Sequence, residues 1–245
     1  MIYCLLFFQQ ACSYLPEEIE PNQGIIIQEN RDYIELTPTD ETFSETALLF
    51  YPGGLVDPHA YIEILSKFVL ISEGYKVVIA KMPANLAVLA ANKGAQLSEE
   101  FSGINRWIVA GHSLGGAMAC TLVENNPDTF DGLILMAAYP ASSTDLADWN
   151  GTVLSLYASN DSFTTQAETD LSKIQLPTAN DINAIENFTE NTQGKSVFHK
   201  IEGGIHSYFG SYGLQKGDGT ASISKEAQQD EITEWMQRFF EVNEW

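Results

Sequence analysis

Residues 106–123 read Arg-Trp-Ile-Val-Ala-Gly-His-Ser-Leu-Gly-Gly-Ala-Met-Ala-Cys-Thr-Leu-Val, and this stretch decides the fold. Its apolar start, residues 107–110, has the length of a buried strand, and the Ala- and Leu-rich end has helical spacing. Between them, Gly111-His112-Ser113-Leu114-Gly115 matches Gly-x-Ser-x-Gly, the motif of a nucleophile elbow. The sharp turn crowds the positions two before and two after the serine, so only glycine fits there. We therefore expect the Ser113 hydroxyl at a helix N-terminus, where negative charge is stabilised.

Length and composition indicate a globular protein with an acidic surface. The 245 residues are 44% apolar, which is enough for one large core, and no linker or internal repeat divides them. Acidic residues outnumber basic ones 33 to 12, giving a formal net charge of −21. Such a surface repels phosphates and anionic lipids, so nucleic acid is excluded as a partner. Cys4, Cys12 and Cys120 lack metal-ligand spacing, and neither a metal site nor a disulfide framework is expected.

The N-terminal residues 1–15 are interpreted separately from a single domain over residues 16–245. The apolar run at residues 2–8 is too short to span a bilayer. It matches the remnant of a secretion signal, with Cys12 as the lipid-modified first residue of a lipoprotein. However, no Lys or Arg precedes the run, as one would in a typical signal. An exported, lipid-anchored protein and a cytoplasmic one are equally compatible with this segment.

Strand-like and helix-like segments alternate from residue 46 onward, which predicts an α/β fold with a mainly parallel central sheet and helices on both faces. Residues 24–28 and 32–36 precede them as a predicted hairpin of edge strands. The predicted strands cover residues 46–51, 76–80, 107–110, 133–138, 153–158 and 197–201. The predicted helices cover residues 57–74, 85–91, 114–126, 166–174, 181–188 and 224–242.

A serine nucleophile needs a base and a third group that orients the base. In a parallel sheet, reactive groups lie at the carboxyl ends of the strands. His206 follows the last predicted strand on a loop with two glycines, and it is the favoured base. Structural roles are expected for the other histidines, which are His59, His112 and His199.

Position along the chain also selects the orienting acid among the 33 carboxylates. Asp161 directly follows the predicted strand 153–158 and is favoured over Asp145 and Asp148, which lie farther from a strand end. The resulting order Ser113, Asp161, His206 is that of α/β-hydrolases, and it differs from the chymotrypsin and subtilisin orders.

Acyl chemistry at Ser113 also needs two donors for an oxyanion. The backbone N–H of Leu114, directly after the nucleophile, is one candidate. The other should come from the loop after strand 46–51, where Pro52-Gly53-Gly54-Leu55 offers the N–H of Gly54 or Leu55.

With these residues, the chain resembles the α/β-hydrolase superfamily over residues 46–242. It looks similar to an esterase- or lipase-like branch with Tyr-Pro-Gly-Gly-Leu-Val-Asp-Pro, here residues 51–58, Gly-His-Ser-Leu-Gly-Gly, here 111–116, and Glu-Gly-Gly-x-His, here 202–206. The resemblance implies a hydrolase that needs no cofactor and often carries an N-terminal membrane anchor. Cap domains of this fold are inserted where residues 139–152 lie, and this segment is too short for a large cap.

The sequence thus predicts hydrolysis of a small-molecule carboxylic ester through an acyl-enzyme. A thioesterase, lactonase or amidase with the same triad stays open, as do a non-catalytic binding protein on a hydrolase scaffold and a structural surface lipoprotein. The expected pocket walls are Tyr51, Met82, Leu86, Tyr139 and Tyr208, all near strand ends. No feature of the sequence indicates an oligomeric state.

Overall fold

The computed structural model describes residues 14–17, 24–39, 44–72 and 74–245. Residues 1–13, with Cys4 and the predicted lipid attachment at Cys12, lie outside this part. Tyr14 pairs with Val56 in an isolated parallel bridge, which attaches the first described segment to the loop after a central strand. None of the helices in the described ranges is long and apolar enough to cross a membrane.

One sheet forms the centre of the fold. Its strands are β1 Ile25–Glu29, β2 Tyr33–Pro38, β3 Thr46–Tyr51, β4 Lys76–Ala80, β5 Arg106–His112, β6 Gly132–Met136, β7 Thr152–Ala158, β8 Thr178–Asp181 and β9 Lys195–Ile201. Across the described residues these nine strands follow the order β1-β2-β4-β3-β5-β6-β7-β9-β8. The pairs β1–β2 and β2–β4 are antiparallel, and the other pairs are parallel. The predicted edge hairpin and the mainly parallel sheet are confirmed.

Helices cover both faces of the sheet because the buried strands are apolar on both sides. The helices are α1 Ile62–Ile71, α2 Lys93–Glu100, α3 Leu114–Asn125, α4 Gln166–Ser172 and α5 Lys225–Val242. Adjacent strand residues contribute to opposite faces: Leu48 packs with α1 and α5, whereas Leu49 packs with α2 and α3. The described segment between β6 and β7 contains only turns, so the fold has no large cap domain at this point.

Two predicted helices are wrong. In place of the predicted helix 85–91 there are two short 3₁₀ turns, Pro83–Asn85 and Ala87–Leu89, because Ala84 and Asn85 adopt positive φ angles of 51° and 54° that interrupt a helix. The helix in this connection is α2, Lys93–Glu100, which lies after the predicted helix and was not itself predicted.

The predicted helix at 181–188 is replaced by the edge strand β8 and a 3₁₀ turn, Ile185–Asn187. The tertiary contacts of Phe188 explain this difference. Its ring is buried against Trp235 and Phe239 of α5, and its carbonyl accepts a hydrogen bond from Arg238. These contacts override the weak helical pattern of the segment.

Packing of α5 against α1 predicts a large stability effect for Phe240→Ala. The Phe240 ring is fully buried and lies 5.1 Å from the Phe68 ring and 4.8 Å from the Tyr75 ring. Removing it should lower the free energy of unfolding by about 3–5 kcal/mol, since it leaves a cavity in the core. Denaturant unfolding measures the change. Glu234→Ala, on the exposed face of the same helix, should change stability by less than about 0.5 kcal/mol, and equal losses in both variants would contradict this packing.

Candidate active site

Ser113 occupies a strained turn between β5 and α3. Its backbone angles are φ 52° and ψ −124°, a conformation that costs a non-glycine residue about 1–3 kcal/mol. A Cβ on Gly111 would lie 2.6 Å from the backbone of Gly115, and a Cβ on Gly115 would overlap the carbonyls of Tyr51 and Pro52. Both glycines of the motif are therefore required by close backbone approach.

The half-buried Ser113 lies in the wall of a cavity of ≈ 240 Å³. The other lining residues are Leu114, Ala117, Ala138, Tyr139, Phe163 and Thr164. Sequence reasoning missed Ala117, Ala138, Phe163 and Thr164, although each lies within four residues of Ser113, Asp161 or a strand end.

Of the five expected pocket walls, Tyr139 lines the cavity at Ser113. The other four do not. Tyr51 and Met82 are buried in the core of the α2 and α3 face, and the Tyr51 hydroxyl binds the carbonyl of Ala91 and the N–H of Gly94. Leu86 lies between the two 3₁₀ turns, and Tyr208 lines a separate cavity.

Asp161 and His206 form a buried hydrogen-bonded pair. The Nδ1 atom of His206 lies 2.8 Å from Oδ2 of Asp161, and both side chains are almost completely buried. The other carboxylate oxygen accepts hydrogen bonds from the N–H groups of Phe163, at 2.6 Å, and Thr164, at 2.8 Å. With its proton on Nδ1 facing the carboxylate, the His206 ring keeps Nε2 available as a base.

Contacts at the end of β6 bring the Asp161 loop to the elbow. The Ser113 N–H donates to the carbonyl of Met136 at 3.0 Å, and the Thr164 hydroxyl donates to the carbonyl of Ala137 at 2.8 Å. The Phe163 ring lines the Ser113 cavity and also contacts the His206 ring edge-on at 5.2 Å between centroids. His206 therefore adjoins this cavity.

Ser113 and His206 are not hydrogen-bonded to each other. The described contacts of Ser113 are backbone hydrogen bonds, and its hydroxyl makes none to the imidazole. In the absence of substrate, such bonds are often long and tighten when the substrate binds.

The backbone N–H groups of Leu114 and Gly54 have no acceptor among the described residues, and these two residues contact each other. Leu114 is the first residue of α3, so its N–H has no acceptor within the helix. A Cβ on Gly54 would lie 3.0 Å from the Leu114 side chain, and the Gly54 N–H has no hydrogen bond among the described residues. The Leu55 N–H, in contrast, donates to the carbonyl of Asn85 at 2.8 Å. The geometry therefore favours the N–H of Gly54 over that of Leu55 as the second candidate donor to an oxyanion.

His112 ties the elbow to the glycine-rich loop after β3. The Tyr61 hydroxyl accepts a hydrogen bond from the Gly53 N–H at 2.9 Å and lies 2.8 Å from Nδ1 of His112. Burial raises the pKa of Tyr61, so this hydroxyl stays protonated and donates a hydrogen bond to Nδ1 of His112. Burial and the His206 ring, 4.5 Å away between centroids, hold the pKa of His112 well below its ordinary value.

The two remaining histidines have structural contacts. His199 lies 2.7 Å from Glu231 and stacks on the Trp235 ring at 3.9 Å. His59 binds Asp57 at 2.7 Å and Glu29 at 3.2 Å.

Metal-binding side chains are not clustered in the described ranges. No group of three His, Cys, Asp or Glu residues there could hold a metal ion. Cys120 lies buried within α3, and burial raises the pKa of its thiol, so it remains an uncharged packing residue.

Tyr61→Phe should lower the free energy of unfolding by about 1–3 kcal/mol, because it leaves the buried Gly53 N–H and His112 Nδ1 without partners. Denaturant unfolding of the variant measures this loss. Tyr208→Phe is the matched control, since the Tyr208 hydroxyl makes no hydrogen bond among the described contacts and should lose less than about 0.5 kcal/mol. Similar losses of unfolding free energy in the two variants would contradict the role of the Tyr61 hydroxyl as a bridge between Gly53 and His112.

His112 should make the protein less stable as the pH falls below about 6.5. Its pKa is lowered in the native state, so below that pH the unfolded chain takes up a proton that the native state does not. Stability then falls by up to about 1.4 kcal/mol per pH unit. Denaturant unfolding between pH 7 and 5 should give a shallower decline for His112→Asn than for the wild type.

His59→Asn should change the pH dependence of stability in the opposite direction. Burial opposes the charge of His59, but hydrogen bonds to Asp57 and Glu29 together raise its pKa, so its protonation stabilises the native state at low pH. Its loss should steepen the decline in stability. A steeper decline for His112→Asn as well would refute the assignment of a neutral, buried His112.

Comparisons with known proteins agree with the fold. A family model described as "Alpha/beta hydrolase family" matches residues 47–230, more than half of the chain. Among curated proteins, none matches the chain. A solved structure titled "predicted CIB-like hydrolase from Thermoplasma acidophilum" superposes with a TM-score of 0.58 at 16% identity, covering 87% of this chain and 99% of that one.

A second similar structure is MGS-MChE2, an alpha/beta hydrolase enzyme from the metagenome of sediments from the lagoon of Mar Chica, Morocco. It superposes with a TM-score of 0.61 at 15% identity, covering 90% of this chain and 100% of that one. At these identities the two structures show a shared fold alone. Together with the family match, the fold leads to one conclusion: the chain belongs to the alpha/beta hydrolase family.

Proposed function

We propose that the protein is a serine hydrolase that cleaves a carboxylic ester through an acyl-enzyme, as in esterase- and lipase-like members of its family. The observation that carries the proposal is the buried Asp161–His206 pair, with 2.8 Å between carboxylate and imidazole, beside the strained turn of Ser113. An imidazole oriented by a carboxylate and close to a serine hydroxyl is the arrangement that activates a weak nucleophile.

In this mechanism, His206 Nε2 removes the Ser113 proton as the hydroxyl oxygen attacks the ester carbonyl carbon. The Leu114 and Gly54 N–H groups donate to the carbonyl oxygen as it becomes negative, and each such donor contributes about 3 kcal/mol to transition-state stabilisation. Asp161 stabilises the imidazolium. Collapse of the tetrahedral intermediate breaks the C–O bond, and His206 protonates the leaving alcohol. Water, deprotonated by the same imidazole, then attacks the acyl-enzyme and releases the acid.

The cavity supports a small, uncharged substrate. Its volume of ≈ 240 Å³ fits a short acyl group, and its described lining includes no Lys or Arg. The carboxylate of Glu168 lies 3.2 Å from the hydroxyl of Tyr139, one of the lining residues. The described lining offers no cation to a substrate that carries phosphates, such as a nucleotide-linked thioester, so such a substrate is disfavoured.

Ser113→Ala should abolish hydrolysis of a small activated ester, with a fall in kcat/KM on the order of 10⁴-fold or more. The matched control is Ser102→Ala on an exposed turn, which should keep wild-type activity. A fluorophosphonate probe should label the wild type at Ser113 and leave the alanine variant unlabelled. Retained turnover in Ser113→Ala would refute the proposal.

A substrate panel separates the alternatives. With one acyl group presented as an ester, thioester, lactone and amide, we expect the ester to give the highest kcat/KM. A higher kcat/KM for the thioester, lactone or amide would leave the proposed triad in place and change the proposed substrate class. Failure of both turnover and labelling would favour a non-catalytic binding protein.

A further inference from the structure

The segment that carries His206 is too short to hold its own conformation. It leaves β9 through Gly203, which has a positive φ of 80°, and continues as a single 3₁₀ turn, His206–Phe209. The first N–H groups of such a turn have no acceptors within it. The direction of the His206 side chain therefore depends on contacts from outside the segment.

Asp218 supplies these contacts. One oxygen of its carboxylate accepts from the N–H of His206, at 3.2 Å, and from the N–H of Gly219, at 2.7 Å. The other oxygen accepts from the N–H of Ser207 at 2.7 Å. Because the acceptor is charged, these hydrogen bonds are stronger than those between neutral groups.

The loop of Asp218 also touches the segment of the acid. A Cβ on Gly219 would overlap the carbonyl of Asn160, and the Asn160 side chain donates to the carbonyl of Thr220 at 2.9 Å. Asn160 directly precedes Asp161. The Asp218 loop thus contacts the backbone on both sides of the Asp161–His206 hydrogen bond.

Gln228 of α5 fixes the preceding residue. Its side-chain oxygen accepts from the Ile205 N–H at 2.9 Å, and its amide donates to the Ile205 carbonyl at 3.0 Å. Ile205 is therefore held from the helix, whereas His206 and Ser207 are held by Asp218. Removing Asp218 would free the residue that bears the imidazole while leaving Ile205 anchored.

We propose that Asp218 is a positioning residue, which holds the His206 backbone so that its imidazole stays on Asp161 and within reach of Ser113. This inference rests on the proposed function. It assigns to Asp218 no contact with substrate. A purely structural loop residue would change stability and leave the geometry of the imidazole unaltered.

The test compares Asp218→Ala and Asp218→Asn in the full chain. Readouts are kcat and KM on the small ester, the melting temperature, and the low-field proton resonance of His206 Nδ1–H in the NMR spectrum. Asp145→Asn is the matched control. Asp145 is exposed and its carboxylate also accepts a hydrogen bond from a backbone N–H, that of Ala147, and the substitution removes the same negative charge.

Asp218→Ala should lower kcat by about 10- to 100-fold with KM changed less than about twofold, since misplacement of a catalytic group by an ångström costs rate and not binding. The Nδ1–H resonance should broaden through exchange with water. Asp218→Asn should lower kcat less, because the remaining side-chain oxygen can still accept a hydrogen bond from one of the backbone N–H groups. Asp145→Asn should match the wild type in every readout.

An unchanged resonance and kcat in Asp218→Ala, with only a lower melting temperature, would overturn the inference. If the alanine variant does not fold, Asp218→Asn decides by the same two readouts. If the wild type hydrolyses no substrate, the proposed function fails. The resonance then still tests Asp218 independently, and its broadening would support the positioning role.

Discussion

The absence of space for a Cβ at Gly111 and Gly115 is the constraint on which the site depends. It lets α3 begin with Ser113 as the one residue between it and β5, and it holds Ser113 at a positive φ. The same close approach places the start of α3 against the carbonyls that end β3, so the loop carrying Gly54 meets the Leu114 side chain. One steric requirement therefore sets both the direction of the serine and the position of the candidate oxyanion donors.

Parallel strands bring the remaining groups to the same edge, and specific side chains then fix them. β7 and β9 are neighbours in register, so the loops after them place Asp161 and His206 in contact. Tyr61 joins the β3 loop to His112 of the elbow, and Asp218 holds the turn of His206. The chemistry in the loops depends on these hydrogen bonds, since short loops have little conformational preference of their own.

The predictable part of the structure follows from local patterns, and the missed part depends on tertiary contacts. Apolar runs indicated the main strands, and strand-end position singled out Asp161 and His206. The predicted helices at 181–188 and 85–91 are absent because the contacts of Phe188 and the positive φ of Ala84 and Asn85 override weak helical periodicity. Phe163 and Asp218 act through contacts with a ring and with backbone N–H groups of distant residues, for which the sequence carries no periodic signal.

The most direct test of the account is a crystal structure of the protein inhibited by a small alkyl phosphonate, which mimics the tetrahedral intermediate. We expect phosphorus bound to Ser113 Oγ, the phosphonyl oxygen within hydrogen-bonding distance of the Leu114 and Gly54 N–H groups, and His206 Nε2 facing the adduct. An adduct on another residue, or a His206 ring that stays out of reach of Ser113 in the inhibited protein, would contradict it.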